Sequence, residues 1–233
     1  MPALLVFGAR NLGRAIAAFF AGEGWNVAGV ARSEESLVGF RDAIPGALAI
    51  AGDAARAEDV ERAFAETRER FERIDLVVNA ISVGVPGGEL AEAPPDALAP
   101  FLDALLPAVF NVLRVGSRVL GEQGSGTLVQ ITGGSARRGM AGRGPWAAAA
   151  FATRALVQTA ALELREHGVH AALLIVDATI DSAKTRGGLE GRPAEASTTE
   201  DDVVAAVRYL AGQSPRGWTH ELQITPRLDR WVP

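Results

Sequence analysis

The stretch VFGARNLGRAIA, residues 6–17, constrains this chain more than any other part of it. Five apolar residues, Ala3 to Phe7, run into a turn bounded by Gly8 and Gly13, and Leu12 to Ala21 then repeats apolar side chains at Ile16, Phe19 and Phe20. A short apolar run that passes through glycines into an amphipathic helix is the opening of a β-α-β unit with a buried strand. Gly22 and Gly24 end that helix. The apolar run is also too short for a signal-peptide core or a membrane span, which sets the expectation of a cytoplasmic protein.

The alternation continues along the chain. Strands are predicted over Asn26 to Ala31, Ala47 to Ala51, Ile74 to Asn79, Thr127 to Thr132, Val169 to Val176 and Trp218 to Ile224. Between them come a short helix capped by Ser33 and ending before Pro45, a helix from Glu58 to Glu72, and longer helices from Pro107 to Gln123 and Trp146 to Glu166. Pro95 and Asp96 fit the first turn of a further helix, and Thr199 with Asp202 reads as the capping box of a last one ending at Ala211. Ser82 to Pro95 and Arg137 to Pro145 are loops. The pattern predicts one α/β domain over residues 1–233: a Rossmann-type, doubly wound parallel sheet in three αβα layers.

Composition narrows the function. A net charge of −5 gives no electrostatic basis for binding nucleic acid or anionic lipid, and points to a small, nearly neutral ligand or substrate. The chain has no cysteine, so disulfides, thiolate metal sites and a cysteine nucleophile are excluded, and no metal site is expected.

Several segments, in order, resemble the short-chain dehydrogenase/reductase family. VFGARNLGRAIA is similar to its Gly-x-x-x-Gly-x-Gly dinucleotide turn: Gly8 and Gly13 match the first and last glycines, Asn11 stands for the middle one, and the loop is one residue shorter. Arg10 and Leu12 complete that turn. Asp53, with Ala54, follows the third strand where the family places an aspartate near the adenine. LVVNAIS puts Asn79 and Ala80 where the family has Asn-Ala-Gly beside the ribose, with Ile81 for the glycine. FNVLRVGSRVL resembles the helix whose asparagine, here Asn111, holds a water in the proton relay. LIVDATIDS and GWTHELQITP resemble a branch with an Asp-Gly-x-Ile-Asp stretch and a Trp-Thr-His-Glu-Leu stretch. Each residue also has a purely structural reading: Asp53 as a helix cap, Asn79 as a turn former, Asn111 as a helix-kink residue, and His220, otherwise a candidate acid/base partner of Asp177, as a structural histidine.

The resemblance also locates what is missing. RALVQTAALELREHG is similar to the family's stretch after its Tyr-x-x-x-Lys, and this register puts Trp146 at the tyrosine and Ala150 at the lysine. Thirteen residues before Trp146, where the family carries its serine, stands Gly133; Ser135 is two residues further on. Tyr209, the single tyrosine, falls in the last helix. In the family the tyrosine gives a proton to the carbonyl oxygen and the lysine lowers its pKa. An indole N–H orients a ligand but does not ionise.

Three functions remain open: an oxidoreductase whose substrate or water supplies the proton, a non-catalytic module binding dinucleotide or a partner protein, and a non-redox enzyme using Ser135, Arg137, Arg138, Arg143 or Asp177. If a dinucleotide binds, NADP is expected, because Arg32 follows the second strand where an acid would otherwise hold the ribose hydroxyls, and Arg10 adds a second cation. The alternative is two solvated arginines. The resemblance implies a homodimer or homotetramer through the Pro107–Gln123 and Trp146–Glu166 helices, whose Gly116 and Ala147, Ala148, Ala149, Ala160 and Ala161 suit close packing; the alternative is that these residues meet the sheet.

Overall fold

The computed structural model describes residues 1–84 and 87–229. In chain order it has β1 (Ala3–Phe7), α1 (Leu12–Gly22), β2 (Asn26–Ala31), α2 (Glu34–Ala43), β3 (Leu48–Ala51), α3 (Ala57–Phe71) and β4 (Leu76–Asn79). The second half adds α4 (Leu106–Gln123), β5 (Gly126–Gly133), α5 (Gly144–Leu164), β6 (Val169–Val176), β7 (Ile180–Asp181), β8 (Thr198–Thr199), α6 (Glu200–Ala211) and β9 (Glu221–Ile224). Seven strands form one parallel sheet in the order β3-β2-β1-β4-β5-β6-β9, and β7 pairs with β8 in a small separate ribbon. This is the doubly wound α/β architecture expected from the sequence.

Side chains alternate across the sheet, so each strand feeds two cores. Leu5 and Phe7 of β1 point to the side of α3, α4 and α5, while Leu4 and Val6 point to the side of α1, α2 and α6. Ser33 caps α2, its hydroxyl accepting from the Ser36 N–H at 3.3 Å, and Thr199 with Asp202 forms the full capping box of α6.

Three local expectations change. The helix expected at Pro95 and Asp96 is a series of turns leading into a π-helical turn, Phe101–Leu105, that runs straight into α4. The final strand begins at Glu221, because Trp218 instead stacks on His170 at 5.3 Å with an interplanar angle of 6°. The small residues offered for subunit packing mostly face inward: Ala147, Ala149, Ala160 and Ala161 are buried, and a Cβ on Gly116 would lie 2.8 Å from Leu128 Cδ1 of the sheet. Their size serves helix-on-sheet packing. The segment Phe101–Gln123 is long and apolar enough to cross a membrane, but 56% of its most apolar window is buried in the protein, as in a core helix.

Candidate functional site

The strand order reverses between β1 and β4, and a crevice opens beyond the carboxyl ends of the strands at such a point. Here it is a cleft of about 630 Å³. One half is built by the ends of β1, β2 and β3, the other by the ends of β4, β5 and β6 with the start of α5 and the segment after β6.

The turn between β1 and α1 forms the floor between the halves. The N–H groups of Gly8 and Ala9 both donate to Val30 O at 3.0 Å, which ties the turn to β2. The Gly13 N–H donates to Arg10 O at 3.0 Å, closing a four-residue turn with Asn11 at its first central position, φ 44° and ψ −119°. That is the glycine-favouring position of a type II′ turn. Asn11 therefore has positive φ, though outside the left-handed helical region that asparagine tolerates best, and its side chain makes no capping bond to α1. Gly13 cannot be replaced without moving backbone, since a Cβ there would lie 2.1 Å from Gly8 O.

At the β2–β3 edge, Arg32 and Asp53 form an exposed ion pair at 3.8 Å. Asp53 Oδ1 accepts from the Ala55 N–H at 3.0 Å, and the Asp53 N–H donates to Asp59 Oδ2 at 3.0 Å. That backbone bond is the main reason the Asp59 carboxyl sits below the usual range, with burial opposing it and Arg62 assisting. Asn111 of α4 donates through Nδ2 to the carbonyls of Ala54 and Ala55 at 3.0 and 3.1 Å, bracing the same loop from below.

In the other half, the half-buried Trp146 lines the cleft and meets Phe101 with ring centroids 5.9 Å apart. Just after β6, Asp177 is buried between Arg138, which donates to both its oxygens, and Gln223, whose Nε2 donates to Oδ2 at 3.1 Å. Gly134 makes room for that carboxylate, since a Cβ there would overlap Asp177 Oδ1 at 1.8 Å. Nearby, Arg154 Nε and Gln158 Nε2 donate to Glu221 Oε1 at 2.7 and 2.8 Å. Burial raises the Glu221 pKa, but these bonds and the charges of Arg154 and Arg137 outweigh it and leave the carboxyl below its ordinary value. The first network ties β9 to the end of β6, and the second ties α5 to β9.

A family model described as enoyl-(acyl carrier protein) reductase matches residues 7–219. The chain belongs to the short-chain dehydrogenase/reductase family. It is 25% identical to YtkK of Bacillus subtilis (strain 168) over 228 residues, 91% of this chain and 89% of that one. It is 31% identical over 174 residues to the A-factor type gamma-butyrolactone 1'-reductase (1S-forming) of Streptomyces virginiae, covering 72% of this chain and 67% of that one. Its fold matches that of ElxO with NADP bound at a TM-score of 0.87, with 17% identity and 96% of each chain covered.

Within this family fold, Gly8, Arg10, Asn11, Leu12, Arg32, Asp53, Ala54, Ala80 and Trp146 line the cleft. Four other expected site residues do not. Gly13 acts through packing. Asn79 is fully buried and bonds inward, Nδ2 to Gln130 Oε1 at 2.9 Å, while its Oδ1 accepts the Ile81 N–H at 3.2 Å; it shapes the end of β4 rather than facing a ribose. Asn111 faces the β3–α3 loop, because Ala104 and Ala108 occupy the cleft-facing side of its helix. Ser135 is fully buried, its Oγ without a hydrogen-bond partner among the described residues, so it is not a nucleophile exposed to a substrate.

Sequence reasoning places a pocket-lining loop at Asp181 to Ala196 but singles out no site residue in it. Ile180, Ser182, Lys184 and Thr185 line the cleft, and Thr185 Oγ1 accepts from the Ser182 N–H at 3.0 Å to hold the loop in shape. The irregular composition of residues 177–196 gave no period to place them, and the only available signal was a hydroxyl-rich run directly after a strand.

Proposed function

We propose that this family member binds NADP(H) in the cleft but lacks the tyrosine and lysine relay, so that ordinary carbonyl reduction is absent or very slow. Any hydride it transfers goes to a substrate that takes its proton from water or from itself. The observation that carries this reading is Trp146 in the cleft wall, at the place the family resemblance gives to the proton donor. An indole has no accessible ionisation, and losing a general acid costs about 10²–10⁴ in rate.

The β1–α1 turn fits a dinucleotide. Its backbone is drawn close to Ala80, as a Cβ on Gly8 would lie 3.1 Å from the Ala80 carbonyl, and Arg10 and Arg32 supply positive charge beside it. Gly8 to Leu12 would hold the pyrophosphate, Arg32 the ribose phosphate, and Ala54 and Ala80 the adenosine. The bound nicotinamide would supply the hydride. NADP in the similarly folded ElxO supports the phosphorylated cofactor.

The same tryptophan favours a second reading, a dinucleotide-binding module with no turnover. Calorimetric titration with NADP and NAD, followed by NADPH oxidation against small ketones and quinones, separates the two. Binding with no oxidation selects the module, and rapid oxidation of simple ketones overturns the loss of the relay. We also propose that the chain assembles as a homodimer or homotetramer, on the exposed apolar side chains of α4 and α5, including Phe110 and Phe151.

A further inference from the structure

We propose that Asn111 is a positioning residue for the dinucleotide: through the carbonyls of Ala54 and Ala55 it fixes the loop that grips the adenosine half, and so sets cofactor affinity instead of relaying a proton. The proposal rests on the reading that the cleft binds NADP(H).

Asn111 lies on α4, 57 residues along the chain from Ala54, and its side chain is buried. A buried amide is costly unless its N–H groups find acceptors. Nδ2 carries two N–H groups and meets two carbonyls, Ala54 O at 3.0 Å and Ala55 O at 3.1 Å. Packing α4 into the core asks only for bulk at this position. The amide adds a fixed distance to two consecutive peptide units of the loop.

That loop, residues 52–56, is held on its other sides too. The Gly52 N–H donates to Ala31 O of β2 at 3.0 Å, and the Asp53 N–H donates to Asp59 Oδ2 of α3 at 3.0 Å. Within the loop, the Arg56 N–H donates to Asp53 O at 2.9 Å and the Ala55 N–H to Asp53 Oδ1 at 3.0 Å. None of these bonds reaches the Ala54 or Ala55 carbonyl. They come from the loop itself, from the strand beside β3 and from the helix that the loop leads into, whereas Asn111 supplies a tie from across the core.

The tie falls where a ligand would feel it. Ala54 lines the cleft with Gly52 and Asp53, and an alanine has no rotatable side chain with which to adapt, so its contact with an adenosine depends on where the backbone is held. The same helix sends Ala108, three residues before Asn111, to the cleft lining. One rigid element thus faces the cleft with Ala108 and fixes the loop with Asn111, which sets the distance between them before any ligand arrives. A loop ordered in advance costs less to order on binding.

The test uses the full chain and compares NADP with adenosine 2′,5′-bisphosphate, its adenosine half. Asn111→Leu keeps the bulk and removes both donors. Affinity for each ligand should fall about tenfold, and the two losses should agree within about twofold, because an effect confined to the adenosine half appears in full in the fragment. Thermal unfolding shows whether the variant is folded. A second measurement needs no variant: in the isotope-labelled wild type, the side-chain amide protons of Asn111 should exchange with solvent more slowly once adenosine 2′,5′-bisphosphate is bound. Unchanged affinities in a folded Asn111→Leu, the result a proton-relay residue gives, overturn the proposal. So does a loss for NADP that the fragment does not share, and so does amide exchange at Asn111 that ignores the fragment, which decides the matter if the variant fails to fold. If the wild type binds neither ligand, the cofactor reading itself fails and this proposal falls with it.

Discussion

A Cβ placed on Gly133 would stand 3.4 Å from Cζ2 and 3.6 Å from Nε1 of Trp146, so the indole covers the last residue of β5. The two positions that the family resemblance pairs as serine and tyrosine are thus neighbours here. An indole needs the space above a residue without a side chain.

This contact, with the proposed loss of the relay, predicts how variants of the site behave. Trp146→Tyr alone should leave ketone reduction near background, because its phenol lacks a lysine and keeps a pKa of about 10. Ala150 is fully buried, so Ala150→Lys alone should lower stability by roughly 3 kcal/mol as an ammonium enters a dry site. The triple variant with Gly133→Ser should exceed the sum of single changes. NADPH oxidation and thermal unfolding of each variant measure this, and full activity from Trp146→Tyr alone contradicts it.

The β1–α1 turn stores strain at Asn11, whose φ of 44° with ψ of −119° costs about 1–3 kcal/mol for a residue with a Cβ. Asn11→Gly should relieve this and, after the added freedom of glycine in the unfolded chain, raise stability by about 1 kcal/mol. Gly13→Ala should destabilise by more than 2 kcal/mol, since the contact at 2.1 Å is with backbone. Denaturant midpoints give both signs directly.

The fold was legible in the sequence because buried parallel strands and amphipathic helices leave strong patterns. β1, β2 and β6 were bounded correctly, and the Thr199–Asp202 box marked α6. The site was less legible, because a side chain's direction depends on helix phase and loop path. Asn111 sits on a cleft-lining helix but points to Ala54 and Ala55, and Ser135 follows β5 but folds inward in a single 3-10 turn. Lys184 lay in a stretch with no period at all. Spacing along the chain told which elements border the cleft, and only the three-dimensional path told which side chains enter it.

Acid should weaken the fold in two stages. Burial holds His170 below its ordinary value near 6.5, despite the bond from its ring to Thr219 O, so the folded state favours the neutral ring. Its contribution is complete above pH 6.5 and is lost as pH falls from there through the depressed folded value. Asp59, Asp202 and Glu221 are also depressed, and their contributions disappear later, below the ordinary carboxylate values of 3.8 and 4.5. Urea midpoints from pH 8 to 3 should show both stages, and the His170 ring resonance should titrate below 6.5 in the native protein. A midpoint that stays constant between pH 7 and 5 excludes the first stage.

Assembly through the outer faces of α4 and α5 predicts that Phe110→Glu yields a monomer. Phe110 is 50% exposed and Phe151 44%, on the two helices beside the groove lined by Leu102, Leu106 and Leu156. A carboxylate at that position would face desolvation in any paired state. Light scattering at micromolar concentration should give a dimer or tetramer for the wild type, and a wild-type monomer removes the reading.

Cofactor choice should be set by Arg32 with Asp53 as its moderator. The pair is exposed, 70% and 38% at the side chains, and its 3.8 Å contact is weak enough to open when a phosphate arrives. A phosphate at the end of β2 would offer the guanidinium more charge than the carboxylate does, and Arg10 lines the same cleft to share it. NADP should therefore bind more tightly than NAD. Arg32→Ala should lower NADP affinity about tenfold, near 1.4 kcal/mol, and leave NAD unchanged. Asp53→Asn separates the electrostatic role from the structural one: it removes the competing charge while leaving an oxygen that can accept the Ala55 N–H, so NADP affinity should rise and stability should hold. Calorimetry on the three proteins with both cofactors reads each term. Equal NAD and NADP affinities in the wild type, or an Arg32→Ala variant that binds NADP as before, would assign Arg32 to the surface and leave the choice of cofactor to another part of the cleft.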